Sequence, residues 1–159
     1  RMNPTDTAFH FIPLIHDVLW GLLGLTAVLM FHGSAINHLI MKFELFTNKN
    51  LKLNQYNRVF AHFYISFMII AIIHLVEIMI WAVYIIQLDL INDPLQAILF
   101  SGSCYTTVGF TADILPVGWK SLAFFISFTG LFSLAWTTSV MIGMTNSYKA
   151  AWRLKYEKP

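Results

Sequence analysis

Three long stretches of the chain almost lack charged side chains, and they limit what it can fold into more than any other feature. The first, between Asp17 and Lys42, has 24 residues without Asp, Glu, Lys or Arg. The last, between Lys120 and Lys149, has 28 residues without these four types. Each exceeds the roughly 20 apolar residues that cross a ~30 Å hydrocarbon core. We therefore expect helices that span a membrane.

The middle stretch, between Arg58 and Asp89, contains a single charged side chain, that of Glu77. It is also long enough for a span. Three transmembrane helices are predicted, at residues 15–38, 60–87 and 119–145, and the remaining segments are 1–14, 39–59, 88–118 and 146–159.

The composition excludes several classes of protein. Hydrophobic residues make up 57% of the chain and charged residues 11%, against about 25% charged in soluble domains, which excludes a soluble domain and a disordered chain. A net charge of +2 is too small for phosphate-driven binding of nucleic acid. The single cysteine, Cys104, allows no disulfide within the chain. We expect an all-α membrane protein that contacts lipid, binds no cofactor and is not an enzyme.

The basic residues predict the orientation of the spans. Eight of the ten lie in two segments: Lys42, Lys49, Lys52 and Arg58 in segment 39–59, and Lys149, Arg153, Lys155 and Lys158 in the tail. Three spans place both segments on one side of the membrane, and the positive-inside rule makes that side cytoplasmic. We expect the N-terminal segment to lie outside.

The segment between the second and third spans is too polar for another span and too apolar for an exposed loop. Asp93 and Pro94 form a strong helix start, because Asp accepts hydrogen bonds from free N–H groups and Pro at the first position has no N–H to leave unpaired. They predict a helix of about 12 residues, 94–105. It is half the length of a span, so we expect a re-entrant segment.

A run of six residues follows this short helix: Thr106, Thr107, Val108, Gly109, Phe110 and Thr111. The run resembles the filter of the pore-loop potassium channels, T-V-G-[YF]-G-D, which lies between a short pore helix and the inner helix. In that family backbone carbonyls replace the hydration shell of the ion. The resemblance implies that these residues form a selectivity filter and that the chain is a homotetramer.

The likeness extends to small bacterial potassium-channel-like proteins. They are similar in a second span of the form H-x-x-E-I-x-x-W-A and a third span containing G-L-x-x-x-x-W-[ST]-T. This chain has HLVEIMIWA at residues 74–82 and GLFSLAWTT at residues 130–138. The resemblance implies an ion channel in a bacterial inner membrane, with potassium as the transported ion.

The chain departs from the family pattern at the outer end of the filter. Thr111 stands where the family has its second glycine, and the aspartate comes one residue later, at Asp113. The resemblance implies that Asp113 supports the filter. A β-branched residue at positive φ costs on the order of 1–2 kcal/mol. We therefore expect the backbone around Thr111 to be rearranged.

Glu77 is the one acidic residue well inside a predicted span, where a carboxylate is costly unless it is paired, protonated or facing water. His74, Glu77 and Trp81 share one helix face. Either this face abuts the pore helix, with Glu77 hydrogen-bonding behind the filter, or a His74–Glu77 pair fixes helix packing. Both interpretations predict destabilisation by Glu77→Ala.

The six histidines raise a second hypothesis, a haem or metal site between helices. Opposite chain directions place His32, His38 and His62 near the same predicted depth, and three neutral imidazoles can hold zinc or copper. No pair has the i, i+3 or i, i+4 spacing of ligands on one helix. The spacing therefore gives this site no support.

Two functions follow from the sequence. The first is a passive channel for monovalent cations. The competing function is a structural or accessory subunit that keeps a degenerate pore loop for packing within a larger membrane assembly, and Thr111 is its main support.

Overall fold

The computed structural model describes the backbone of residues 4–157 and the side chains of residues 15–157. Four helices follow in chain order: α1 Pro4–Lys52, α2 Tyr56–Gln87, α3 Pro94–Tyr105 and α4 Leu122–Tyr156. The described residues contain no strand. The predicted all-α class is confirmed.

Three of these helices, α1, α2 and α4, contain 49, 32 and 35 residues. Their described parts are long and apolar enough to cross a membrane. At 1.5 Å per residue, about 20 residues cover a ~30 Å core, so each helix continues beyond the length it needs. This agrees with the multi-pass membrane protein expected from the three uncharged stretches.

Segments predicted to lie outside the spans are largely helical. α1 continues to Lys52, through most of segment 39–59, and α4 continues to Tyr156, through most of the tail. Neither extension contains Gly or Pro, so nothing interrupts the helix where charged side chains begin. At the other end, residues 4–14 belong to α1, and 1–3 lie outside the described residues.

A left-handed residue follows each of α1 and α2 and ends the helix. Asn54 has a φ of 54°, and the N–H of the next residue, Gln55, donates to the carbonyl of Asn50 at 2.9 Å. This is a Schellman motif, in which a left-handed residue closes the last turn. Asp89, also with a φ of 54°, ends α2 in the same way. Asn and Asp tolerate this conformation better than most residues.

The described residues form two compact units. The first comprises those up to Met30 together with Val76–Phe132 and includes α3; the second comprises Phe31–Leu75 together with 133–157. The first unit is built around Trp81, which is fully buried. Gly24 on α1 allows this packing, because a Cβ there would lie 2.5 Å from Trp81 Cη2.

Asp17, on α1 in the first unit, holds the start of α4. It is 2% exposed, and its Oδ2 accepts a hydrogen bond from the N–H of Ser121 at 2.8 Å. Ser121 directly precedes α4, where free N–H groups and the positive end of the helix dipole favour a carboxylate. α1 therefore supplies the N-terminal cap of α4.

Replacing Asp17 by Ala removes this cap. We expect the unfolding free energy to fall by about 0.5–2 kcal/mol, measured by denaturant titration of the purified protein in detergent. Glu44→Ala removes an exposed carboxylate from the same helix and is the control, expected to stay within about 0.5 kcal/mol of wild type. Equal stability of Asp17→Ala and wild type would contradict the capping role.

Candidate functional site

The candidate site consists of α3 and the loop that follows it, residues 106–118, and it lies within the first unit. The short helix predicted over 94–105 is confirmed. Pro94 occupies its first turn, and Asp93 Oδ1 accepts a hydrogen bond from Gln96 N at 2.9 Å. The predicted capping by Asp93 is therefore confirmed as well.

Backbone carbonyls at the C-terminal end of α3 find partners within the protein. The Gly102 carbonyl accepts from Thr106 N at 3.0 Å and from Thr106 Oγ1 at 2.7 Å. On α4, Ser127 Oγ donates to the Cys104 carbonyl at 2.9 Å. The last carbonyls of a helix have no partner within the helix, so these contacts satisfy groups that would otherwise need water.

Gly130 on α4 packs directly against the carbonyl oxygen of Tyr105, the last residue of α3. A Cβ at position 130 would overlap that backbone oxygen. Because neither backbone can give way as a side chain can, only glycine permits this approach of α4 to α3.

Glu77 on α2 is fully buried and accepts a hydrogen bond from the hydroxyl of Tyr105. This contact agrees with the interpretation in which the Glu77 face abuts the short helix. Trp81, one turn further along, is fully buried as well. His74 belongs to the second unit, where its Nε2 lies 3.1 Å from Thr137 Oγ1.

The sign of the backbone angle φ alternates directly after α3. Thr106 has a φ of −82°, Thr107 a φ of 59° and Gly109 a φ of 66°, whereas Val108 is not left-handed. Thr107 is β-branched, and such residues rarely adopt the left-handed region. The strain in this loop therefore lies at Thr107.

The rearrangement expected around Thr111 agrees with the structure. Thr111 is not left-handed, so the cost of a β-branched residue at positive φ does not arise there. Its N–H donates instead to Ser103 Oγ at 3.3 Å. The loop accommodates Thr111 in place of the second glycine because its backbone is not left-handed at that position.

Ser103 on α3 anchors the loop through two atoms. Its carbonyl accepts from Gly109 N at 3.2 Å and its hydroxyl from Thr111 N. Ser103 is fully buried. The N–H groups of alternate loop residues therefore face α3.

Other parts of the loop are open. Val108 is 67% and Phe110 64% exposed. Asp113 pairs with Lys120 at 2.7 Å, and both side chains are well exposed. This ion pair joins two points of the segment that connects α3 to α4, and it balances the charge of the predicted filter-support residue Asp113.

Cys104 lies beside this loop on α3. Burial, and then the negative charge of Asp113, raise the pKa of the Cys104 thiol to about 11. The thiol is therefore protonated near neutral pH, and a protonated thiol is a poor nucleophile and a poor metal ligand.

The structure does not bring together the three histidines of the metal hypothesis. His32 is fully buried in the second unit, with its ring centroid 5.5 Å from that of His74. His62 stacks on Phe43 at 5.6 Å, and His38 is exposed. Among the residues that the structure describes, no cluster of three metal-ligating side chains includes His38 or His62.

Three contact residues were not predicted from the sequence: Tyr105, Ser103 and Ser127. Tyr105 carries a usable signal, because a hydroxyl at the end of the predicted short helix is a natural donor for a carboxylate inside a predicted span. Ser103 and Ser127 carry no such signal. Their roles depend on which carbonyl or N–H group the fold places beside them.

Comparison of the chain with known protein families, with curated proteins and with solved structures finds no match in any of the three. Function must therefore be inferred from the geometry of α3 and its loop.

Gly130→Ala tests the close approach of α4 to α3. We expect a loss of about 1–3 kcal/mol in unfolding free energy, because the added methyl displaces the end of α3. Gly143→Ala on the same helix is the matched control. No atom lies within 4 Å of a Cβ there, so the higher helix propensity of Ala predicts unchanged or increased stability. Equal effects of the two substitutions would refute the steric argument.

Tyr105→Phe tests the contact with Glu77. Removing a hydrogen-bond partner from a buried polar group costs about 1–3 kcal/mol, and we expect thermal unfolding in detergent to show a loss in that range. Tyr56→Phe, which removes an exposed hydroxyl contact, should change stability by less than about 0.5 kcal/mol. Glu77→Ala should destabilise more than Tyr105→Phe. If Tyr105→Phe matches wild type, the contact does not support the fold.

Proposed function

We propose that the chain is the subunit of a passive channel for monovalent cations, with potassium as the transported ion. Four copies surround a central axis, and residues 106–111 of each copy form the filter. α3 is the pore helix, and the channel requires no cofactor.

One observation carries the proposal, the alternating backbone of residues 106–109. Such alternation turns successive N–H groups to one side of the chain and the carbonyls to the other. The N–H groups of Gly109 and Thr111 donate to Ser103, so we expect the carbonyls of the same two peptide groups, those of Val108 and Phe110, to face away from α3. A row of carbonyls on one side suits a dehydrated cation.

The strain at Thr107 supports the same assignment. A left-handed β-branched residue costs about 1–2 kcal/mol, and such strain persists only where the surroundings impose it, as at ligand sites. The Thr107 N–H donates to the Cys104 carbonyl at 3.0 Å, which fixes the loop to the end of α3.

The length of α3 supports a re-entrant position. Its 12 residues correspond to about 18 Å, less than the ~30 Å hydrocarbon core. A helix of this length can enter the membrane without crossing it. Its C-terminal end carries partial negative charge, which favours a cation nearby.

The exposure of Val108 and Phe110 supports assembly. These two apolar loop side chains, one on each side of Gly109 and each about two-thirds exposed, gain free energy if other copies of the chain surround them. Because one chain supplies one loop, a closed ring of carbonyls requires several copies, and the resemblance to potassium channels sets the number at four.

The basic residues support the orientation. We place the tail and segment 39–59, which contains the end of α1 and the start of α2, in the cytoplasm of a bacterium, with the N-terminus outside the inner membrane, because eight of the ten basic residues lie in these two segments.

The competing function is a non-conducting accessory subunit. Its main support is Thr111 in place of the second filter glycine. Thr111 is not left-handed and the alternation stops at Gly109, so the outer end of the loop differs from the pattern that the family shows. We therefore assign ion coordination to the carbonyls of residues 107–109.

Potassium flux into liposomes containing the purified protein tests the proposal. We expect wild type to conduct and Gly109→Ala to lose most of the flux. Alanine is strained at a φ of 66°, yet its Cβ would meet no atom within 4 Å, so the change acts through the backbone. Gly102→Ala on α3, with its Cβ 3.6 Å from Ile78 Cγ2, is the control and should conduct.

Two outcomes would contradict the proposal. A wild-type protein that passes no cation under any ionic condition favours the accessory subunit. Equal flux through wild type and Gly109→Ala refutes the assignment of the filter.

A further inference from the structure

A cavity of about 390 Å³ lies at the turn between α1 and α2, within the second unit. Six residues line it: Asn54, Gln55, Tyr56, Asn57, Arg58 and Lys155. Two of the six are cationic, three carry amide groups, one carries a hydroxyl, and none is acidic. This donor-rich lining is suited to an anion.

The two cations are placed differently. Lys155 Nζ donates to Asn57 Oδ1 at 2.5 Å, which holds its ammonium group at the wall of the cavity. Arg58 is exposed and lines the same cavity. A guanidinium binds phosphate oxygens in a bidentate manner, and an ammonium adds a point charge.

Aromatic rings adjoin the cavity. Lys155 Nζ lies 5.6 Å from the ring centroid of Phe60 and 4.6 Å from that of Tyr156. Trp152 contacts both rings, at 5.7 Å from Phe60 and 4.5 Å from Tyr156. Clustered aromatic rings beside basic side chains are typical of the membrane interface.

The position of the cavity along the chain agrees with a location at the membrane interface. The cavity surrounds the first residues of α2, one of the helices long and apolar enough to span a membrane. A lipid bound there would place its phosphate at the cations and its acyl chains beside Phe60 and Trp152.

We propose that this cavity binds the phosphate group of an anionic phospholipid. Arg58 and Lys155 bind the phosphate oxygens, and the Asn and Gln amides contact the remainder of a hydroxylated headgroup such as glycerol. Zwitterionic lipids bind less well, because their headgroup ammonium is repelled by the same two cations. This site is independent of cation conduction.

Binding of phosphatidylglycerol and phosphatidylcholine to the purified protein in detergent, followed by native mass spectrometry, tests the proposal. We expect wild type to bind phosphatidylglycerol at least about tenfold more tightly. The double variant Arg58→Gln, Lys155→Gln should lose that preference.

The matched control is Lys149→Gln, Arg153→Gln, which removes one Lys and one Arg of the same basic end without touching the cavity lining. It should keep the preference. An equal loss in both double variants would show diffuse attraction to charge and overturn the site. Arg58→Gln alone, at an exposed side chain, should reduce the preference in part and replaces the double variant if that fails to fold.

Inorganic phosphate at constant ionic strength distinguishes the two sources of the ligand group. We expect millimolar phosphate to leave bound phosphatidylglycerol in place, because the acyl chains add apolar contact that free phosphate lacks. Displacement by phosphate would overturn the lipid assignment.

Discussion

The end of α3 meets α4 through backbone groups, and the rest of the candidate site depends on that contact. Ser127 donates to the carbonyl of Cys104, and Gly130 leaves room for the carbonyl of Tyr105. Hydrocarbon offers no hydrogen-bond donor, so a helix that stops inside a membrane must find partners for its last carbonyls within the protein. On α4 the Ser127 hydroxyl supplies one such partner, and Gly130 leaves the space that the end of α3 occupies.

The other two long helices, α1 and α2, each contribute one contact that holds the segment between α3 and α4. The α2 carboxylate of Glu77 accepts from Tyr105 at the start of the segment, and the α1 carboxylate of Asp17 accepts from Ser121 at its end. Between these points the loop is fixed to α3 by Ser103. A segment held at both ends and in the middle can maintain a strained residue such as Thr107, because the surrounding contacts determine its conformation.

Sequence reasoning succeeded where a local pattern has one physical meaning. Asp93 followed by Pro94 sets the start of α3, and the uncharged stretches identify the three long helices. Sequence reasoning failed where a contact between two helices determines the environment of a residue. The burial of Asp17 is an example, because it depends on where α4 begins. The end of α1 was missed because charge marks the limit of an apolar stretch, whereas the left-handed Asn54 ends the helix. The end of α2 at Gln87 agrees with the predicted limit. The conformation of Thr111 depends on the Ser103 hydroxyl, which no spacing reveals.

The central claim is that carbonyls of residues 107–109 from four copies of the chain line one cation pathway. The most direct measurement is an electron cryo-microscopy map of the purified protein in a membrane mimetic, recorded once in potassium and once in thallium. The account predicts a fourfold assembly with ion density on the axis, within coordinating distance of these carbonyls and stronger in thallium. An assembly of another number, or carbonyls directed away from the axis, would contradict it.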